Sequence, residues 1–173
     1  GRAGFIACAE RFTEYFKFES LPAIFSSTLL PHEVAGLGTT LEIIINEGWR
    51  RDRLHANSRY LREGLDALGY NLNDCQSQIV ALEAGPEKNT IVLRDALEQR
   101  GIFGSVFCAP ATPKHRSMVR LSLNCALTKS ELDHILETCD EIRAEVGFDQ
   151  WPSTRRKSQA TAASLAHRDA VTS

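Results

Sequence analysis

The sequence predicts an α/β protein in which long helices precede a short sheet with helices packed on one face. The first observation is the order strand, helix, strand, strand, helix across residues 78–146. The second is a change in apolar spacing, from helical spacing over residues 31–68 to a strand-like run at 78–84. Together these patterns indicate a small α+β layer in which one side of the sheet is covered.

Each predicted element has a local signal. Pro31 suits the first turn of a helix that continues to about residue 46. A second long helix at 49–68 ends at Gly69, a typical C-cap residue. The capping box Thr-Lys-Ser-Glu at 128–131 begins the last helix, which is predicted to continue to about residue 146. The other predicted elements are a strand at 4–7, a helix at 8–17, a loop at 18–30, strands at 78–84, 102–108 and 118–123, and a helix at 89–100.

Composition excludes several classes of function. With 43% hydrophobic and 24% charged residues, the chain is typical of a soluble globular protein. A net charge of -2 does not support nucleic acid or an anionic membrane as the main partner. No apolar run approaches the roughly 20 residues that span a bilayer. The scattered cysteines contain no CxxC pair, which favours reduced thiols in the cytoplasm and neither disulfides nor a metal site. They are Cys8, Cys75, Cys108, Cys125 and Cys139.

Arg120 is a candidate binding residue in the strand at 118–123. Period two places Arg120 on the face opposite the apolar residues Val119, Leu121 and Leu123. An arginine in a short strand usually faces solvent, and that is one interpretation. The other is a guanidinium held on a rigid strand, where it clamps a carboxylate through two hydrogen bonds. The pattern alone leaves both interpretations open.

Three consecutive hydroxyl residues, Ser26, Ser27 and Thr28, lie shortly before the helix that begins at Pro31. Hydroxyl groups beside a helix N-terminus can bind an anion such as phosphate. In the simpler interpretation, Thr28 caps the helix while the two serines are hydrated. The residues alone do not exclude either.

No activated nucleophile is evident in the sequence. It contains no Gly-x-Ser-x-Gly sequence, no Walker-type loop and no Rossmann fingerprint. The histidines lie singly, without the spacing of metal ligands, at positions 32, 55, 115, 134 and 167. A small α+β module that binds a partner or dimerises, without chemistry of its own, is therefore a second hypothesis.

Five segments together resemble the C-terminal half of the α-oxoamine synthase family, and most closely its branch of Vibrio-type quorum-sensing autoinducer synthases. They are GRAGFIA, PAIFSSTLLPHEVAGLGTTLEII, YLREGLDALGYNL, GIFGSVFCAPATP and MVRLSLNCALTKSELDHI. These are fold-type I enzymes that depend on pyridoxal 5'-phosphate (PLP). The resemblance covers about residues 1–146 and implies the C-terminal α+β domain of that fold, with a short antiparallel sheet.

The resemblance also implies a domain organisation. Residues 1–47 would be the end of the large PLP-binding domain together with an interdomain helix. Residues 48–146 would form the small C-terminal domain. Residues 147–173 lie outside the resemblance and are predicted to be a disordered tail, because after Trp151 and Pro152 the composition turns to Ser, Thr, Ala, Arg and Lys without periodicity.

The activity implied by the resemblance is a PLP-dependent transfer of an acyl group from acyl-CoA to a small amino acid or S-adenosylmethionine. The product would be an α-amino ketone that serves as an autoinducer precursor. Arg120 would hold the carboxylate of the amino donor, and Ser26, Ser27 and Thr28 would hold the cofactor phosphate of the neighbouring subunit in a homodimer. The family's Schiff-base lysine would precede Gly1, so we expect this chain to be inactive alone. The family's threonine in the proline-rich loop is replaced by Ala111.

Overall fold

The structure, a computed structural model, describes residues 6–26, 29–72 and 75–154. The chain divides into two compact units, Gly1–Trp49 and Arg50–Ser173. Among the described helices, none is both long enough and apolar enough to span a membrane.

The first unit contains helices α1 (Arg11–Glu19), α2 (Leu21–Phe25) and α3 (Pro31–Asn46). Helix α3 begins at the predicted proline, and the Glu33 carboxylate accepts a hydrogen bond of 2.8 Å from the Leu30 N–H, which satisfies one free donor of the first turn. Helix α2 lies where the sequence predicted a loop, because five residues are too few to show helical periodicity. Of the strand predicted at 4–7, only residues 6 and 7 are described, and they adopt no regular structure.

The second unit contains helix α4, a three-stranded antiparallel sheet and two further helices, which confirms the predicted fold class. Their bounds are α4 Trp49–Ala67, β1 Ile79–Gly85, α5 Glu87–Glu98, β2 Ser105–Phe107, β3 Ser117–Ser122 and α6 Lys129–Glu141. The strand order is β1-β3-β2, with β3 central and antiparallel to both neighbours. The central strand carries Arg120.

The core lies between the sheet and the three helices of this unit. On β3, Ser117, Val119 and Leu121 are buried, while the alternate residues Met118 and Arg120 are half-buried on the other face. Each large apolar side chain that is fully buried contributes about 1.5–3 kcal/mol. The core side chains include Leu61, Leu65, Val80, Leu82, Leu93, Leu97, Leu132 and Ile135. We refer below to the sheet face opposite this core as the open face.

Strand β2 is shorter than predicted because the backbone just before it packs closely against side chains of β3. A Cβ atom on Gly104 would lie 2.5 Å from Val119 Cγ1 and 3.1 Å from Leu121 Cδ2, so this position accepts only glycine without a shift of its neighbours. Ile102, predicted as part of the strand, instead packs in the core.

The segment at 147–154 corrects the prediction of a disordered tail beginning at residue 147. Residues Phe148–Gln150 form a 3-10 helix. The rings of Phe148 and Trp151 lie 4.7 and 6.1 Å from the ring of Tyr70, and Asn71 donates a 2.7 Å hydrogen bond to Thr154 Oγ1. These partners are distant in sequence, so local composition did not reveal them. Residues 155–173 lie outside the described part of the chain.

Candidate functional site

Arg120 lies at the middle of the central strand, on the open face. Its direct neighbours across the sheet are Ala81 on β1 and Ser105 on β2. Both of these side chains are small. Arg120 is only half-buried, and the face predicted from period two is the one that it occupies.

The guanidinium is held by an aromatic ring and has unused hydrogen-bonding capacity. Arg120 Cζ lies 4.4 Å from the centroid of the Phe107 ring, which is within the range of a cation–π contact. Within the described residues, Arg120 Nε is buried and has no hydrogen-bond partner. A charged group that is partly removed from water without a partner is costly, and an anion placed against it would offset that cost. The arrangement therefore suits a carboxylate ligand.

The acidic residue on the same face is already engaged. Glu83 of β1 is almost completely buried, with 6% of its side chain exposed, and it pairs with Arg116 at 2.6 Å. Arg116 Nε makes a second, longer contact of 3.4 Å with the same carboxylate. Glu83 faces Met118 across the sheet, two residues from Arg120 along β3. Since Glu83 is neutralised by Arg116, it leaves Arg120 available to an external anion. Sequence reasoning missed this pair, because only the strand register brings it together.

The proline-rich loop at 109–113 lies beside this face. The Thr112 N–H donates a 3.2 Å hydrogen bond to the Cys108 carbonyl, which closes the turn. Thr112 Oγ1 is a second buried polar atom without a partner among the described residues. Pro113, together with Arg116 and Met118, lines a cavity of about 390 Å³ that extends over Ala81. Pro113 thus forms part of the wall of a pocket on the open face.

Of the predicted phosphate-binding residues, the structure describes only Ser26. Ser26 is exposed and ends α2, and both its N–H and its hydroxyl donate to the Pro22 carbonyl. Ser27 and Thr28 lie outside the described residues. The predicted phosphate site therefore stays a prediction. Ser26 and Arg120 belong to different compact units.

The remaining reactive groups form no second centre within the described residues. No group of three or more histidine, cysteine or acidic side chains could hold a metal ion there. Cys139 is fully buried, and this burial raises the pKa of its thiol to about 12. A thiol of this kind is a poor nucleophile at neutral pH because the thiolate is the reactive form.

The chain is similar to known proteins over most of its length. The family model described as aminotransferase class I and II matches residues 1–138. The CAI-1 autoinducer synthase of Vibrio campbellii is 44% identical over 140 residues, which cover 81% of this chain and 35% of that protein.

Solved structures share the fold. A serine palmitoyltransferase (SPT) structure from Sphingomonas wittichii superposes with a TM-score of 0.74 at 26% identity, covering 83% of this chain and 36% of that one. A high-resolution structure of SPT with PLP gives a TM-score of 0.74 at 27% identity, over 80% and 35% of the two chains. The chain thus spans about a third of the length of the proteins that it matches.

Proposed function

Because the chain belongs to the aminotransferase class I and II family, we propose that it is the C-terminal part of a PLP-dependent acyl-CoA:amino-acid C-acyltransferase, an α-oxoamine synthase. The observation that carries this proposal is Arg120, a half-buried cation on a rigid strand whose buried Nε has no partner among the described residues. The amino donor of such a reaction carries a carboxylate, and a guanidinium is suited to bind that group through two parallel hydrogen bonds.

The role of Arg120 is to bind and orient the amino donor. A carboxylate fixed by two hydrogen bonds cannot rotate freely, so the bond that breaks at the α-carbon keeps one direction. Strand β3 pairs on both sides, and Arg120 therefore extends from a backbone that is itself fixed. The ion pair between Glu83 and Arg116 keeps the neighbouring carboxylate from competing for Arg120.

The residue types of the hydroxyl stretch fit the phosphate group of PLP. Ser26, Ser27 and Thr28 carry three hydroxyl groups shortly before the first turn of α3, and Ser26 would donate to a phosphate only after leaving the Pro22 carbonyl. The exposed Ser26 side chain is accessible to a ligand. When bound, PLP supplies the electron sink for bond breaking at the amino donor. In this proposal the phosphate belongs to the neighbouring subunit of a homodimer.

The similarity to the CAI-1 autoinducer synthase supports the finer proposal that the product is an α-amino ketone precursor of a quorum-sensing signal. The substrates would be acyl-CoA and either a small amino acid or S-adenosylmethionine, in the cytoplasm.

The test is turnover by the full-length protein. It would be incubated with PLP, acyl-CoA thioesters of increasing chain length, and glycine, L-alanine, L-serine or S-adenosylmethionine as amino donor. We expect release of CoA, followed with a thiol reagent, only when an amino donor is present. A full-length protein that binds no PLP and releases no CoA with any donor would contradict the proposal and favour the non-catalytic module.

A further inference from the structure

We propose that Phe107 is a positioning residue for Arg120, and that its ring orients the guanidinium for the carboxylate of the amino donor. This inference rests on the function proposed above. Phe107 itself contacts no substrate in this account, since it acts through Arg120.

The register of the sheet places the two side chains together. On the antiparallel strands β2 and β3, Ser105 faces Arg120 and Phe107 faces Met118. Phe107 and Arg120 are therefore diagonal neighbours on the open face, a separation that long side chains bridge. The distance of 4.4 Å from Arg120 Cζ to the ring centroid shows that they do so.

Among the described residues, no hydrogen bond or ion pair restricts the Arg120 guanidinium. The direct neighbours Ala81 and Ser105 are too short to confine a long, flexible side chain. None of the ion pairs between described residues includes Arg120. An unconfined arginine would lose rotamer freedom each time it bound a carboxylate, whereas one already held by a ring loses less.

A cation–π contact is suited to this purpose because it uses the charge and none of the hydrogen-bond donors. The Phe107 ring has no acceptor for the guanidinium N–H groups, so they remain available to a carboxylate. An acidic residue at the same place would instead neutralise Arg120, as Glu83 neutralises Arg116. The ring thus holds the cation and preserves its capacity to bind.

The backbone fixes the ring in turn. Gly104 allows the chain to approach Val119 closely where β2 begins. Val106, between Ser105 and Phe107, packs against the core on the other face of the sheet. Phe107 therefore extends from an anchored strand, and its ring is half-buried.

The test compares Phe107→Leu with Phe107→Tyr in the full-length enzyme with PLP. Leucine keeps an apolar side chain and removes the ring, whereas tyrosine keeps the ring. We expect Phe107→Leu to raise the KM for the amino donor about 3- to 10-fold, the equivalent of a partly desolvated cation–π contact. We expect Phe107→Tyr to keep the wild-type KM for the amino donor. The KM for acyl-CoA should be unchanged in both variants. The donor is whichever of glycine, L-alanine, L-serine and S-adenosylmethionine is turned over.

A double-mutant cycle separates this role from a merely structural one. In the Arg120→Ala background, Phe107→Leu should cause no further rise in the KM for the amino donor. If Arg120→Ala alone has no effect, the proposed function fails. Two outcomes would overturn only the role of Phe107, provided that Arg120→Ala raises the KM for the amino donor. In the first, Phe107→Leu leaves this KM at the wild-type value. In the second, Phe107→Leu still raises this KM in the Arg120→Ala background. Should Phe107→Leu unfold, Phe107→Met, which also removes the ring, is judged by the same criteria.

Discussion

At the residue scale, the open face shows two arginines in different electrostatic states. Arg116 is neutralised by the buried Glu83, whereas Arg120 meets the face of an aromatic ring and keeps a buried Nε without a partner among the described residues. A paired arginine stabilises the protein locally, whereas one without an acidic partner is available for a ligand. Arg116 and Arg120 are the same residue type, and they differ in the groups that they contact.

The position of Arg120 could be predicted from the sequence, but its surroundings could not. Period two along a single strand was enough to place it opposite Val119 and Leu121. The contact with Phe107 and the pairing of Glu83 with Arg116 depend on the register between strands. A single strand carries no information about that register.

The buried pair of Tyr70 and Cys139 predicts how stability changes with pH. Tyr70 donates a 2.9 Å hydrogen bond to the Cys139 carbonyl, and burial raises the pKa of both side chains. Because the folded-state pKa values are raised, the unfolded chain releases its protons first as the pH increases. The stabilisation is complete below about pH 9, the ordinary value for cysteine, and is lost as the pH rises toward about 12.

We therefore expect the free energy of unfolding to fall by about 2–3 kcal/mol between about pH 7 and about pH 10.5, measured by urea denaturation. The variant Cys139→Ala should show a smaller fall. Cys8 is exposed, so Cys8→Ala is the matched control and should keep the wild-type pH dependence. Equal pH dependence in the two variants would contradict this account of Cys139.

At the element scale, helix starts have stronger local signals than helix ends. Helices α3 and α6 begin where Pro31 and the capping box of Thr128 and Glu131 predicted. Helix α6 ends at Glu141, earlier than the predicted residue 146, and the chain continues in turns to Gly147, which has a φ of 63°. The buried Ile142 and Val146 continue the apolar spacing beyond the helix, which is why periodicity extended it too far.

The capping box of α6 predicts a measurable loss of stability. Thr128 Oγ1 accepts a hydrogen bond from the Glu131 N–H, and the Glu131 carboxylate accepts one of 2.7 Å from the Thr128 N–H. Replacing Thr128 by alanine should lower the free energy of unfolding by about 1 kcal/mol. Ser130→Ala, two residues later on the exposed surface, is the control and should change it by less than about 0.5 kcal/mol. Equal effects in urea denaturation would show that the cap is not the cause.

At the scale of the whole molecule, the described core belongs to the unit Arg50–Ser173 and is completed by its last described segment. Phe148 and Trp151 cover Tyr70, and the Trp151 Nε1–H donates to the Val146 carbonyl at 3.0 Å. The fold class followed from the order of elements in the sequence. This segment could not be predicted, because its apolar residues are few and its partners lie about 80 residues away, as with Asn71 and Thr154.

Truncation tests the contribution of this segment. A chain that ends at residue 146 should lose at least about 2 kcal/mol of stability, because the ring of Tyr70 loses its apolar cover. A chain that ends at residue 154 keeps each of these contacts and should unfold at the temperature of the 173-residue chain. The melting temperatures can be compared by circular dichroism. A chain ending at 146 that melts at the same temperature would show that the segment adds no stability.

The proposed carboxylate site is tested most directly by the KM for the amino donor in the full-length enzyme with Arg120→Ala. Loss of a charge-assisted clamp should raise this KM about 10- to 100-fold while the KM for acyl-CoA is unchanged. Arg94→Ala is the matched control, because Arg94 pairs with the exposed Asp95 on the surface of α5, and it should keep both values. An Arg120→Ala enzyme whose amino-donor KM and rate equal those of the wild type would contradict the assignment of Arg120 as the carboxylate ligand.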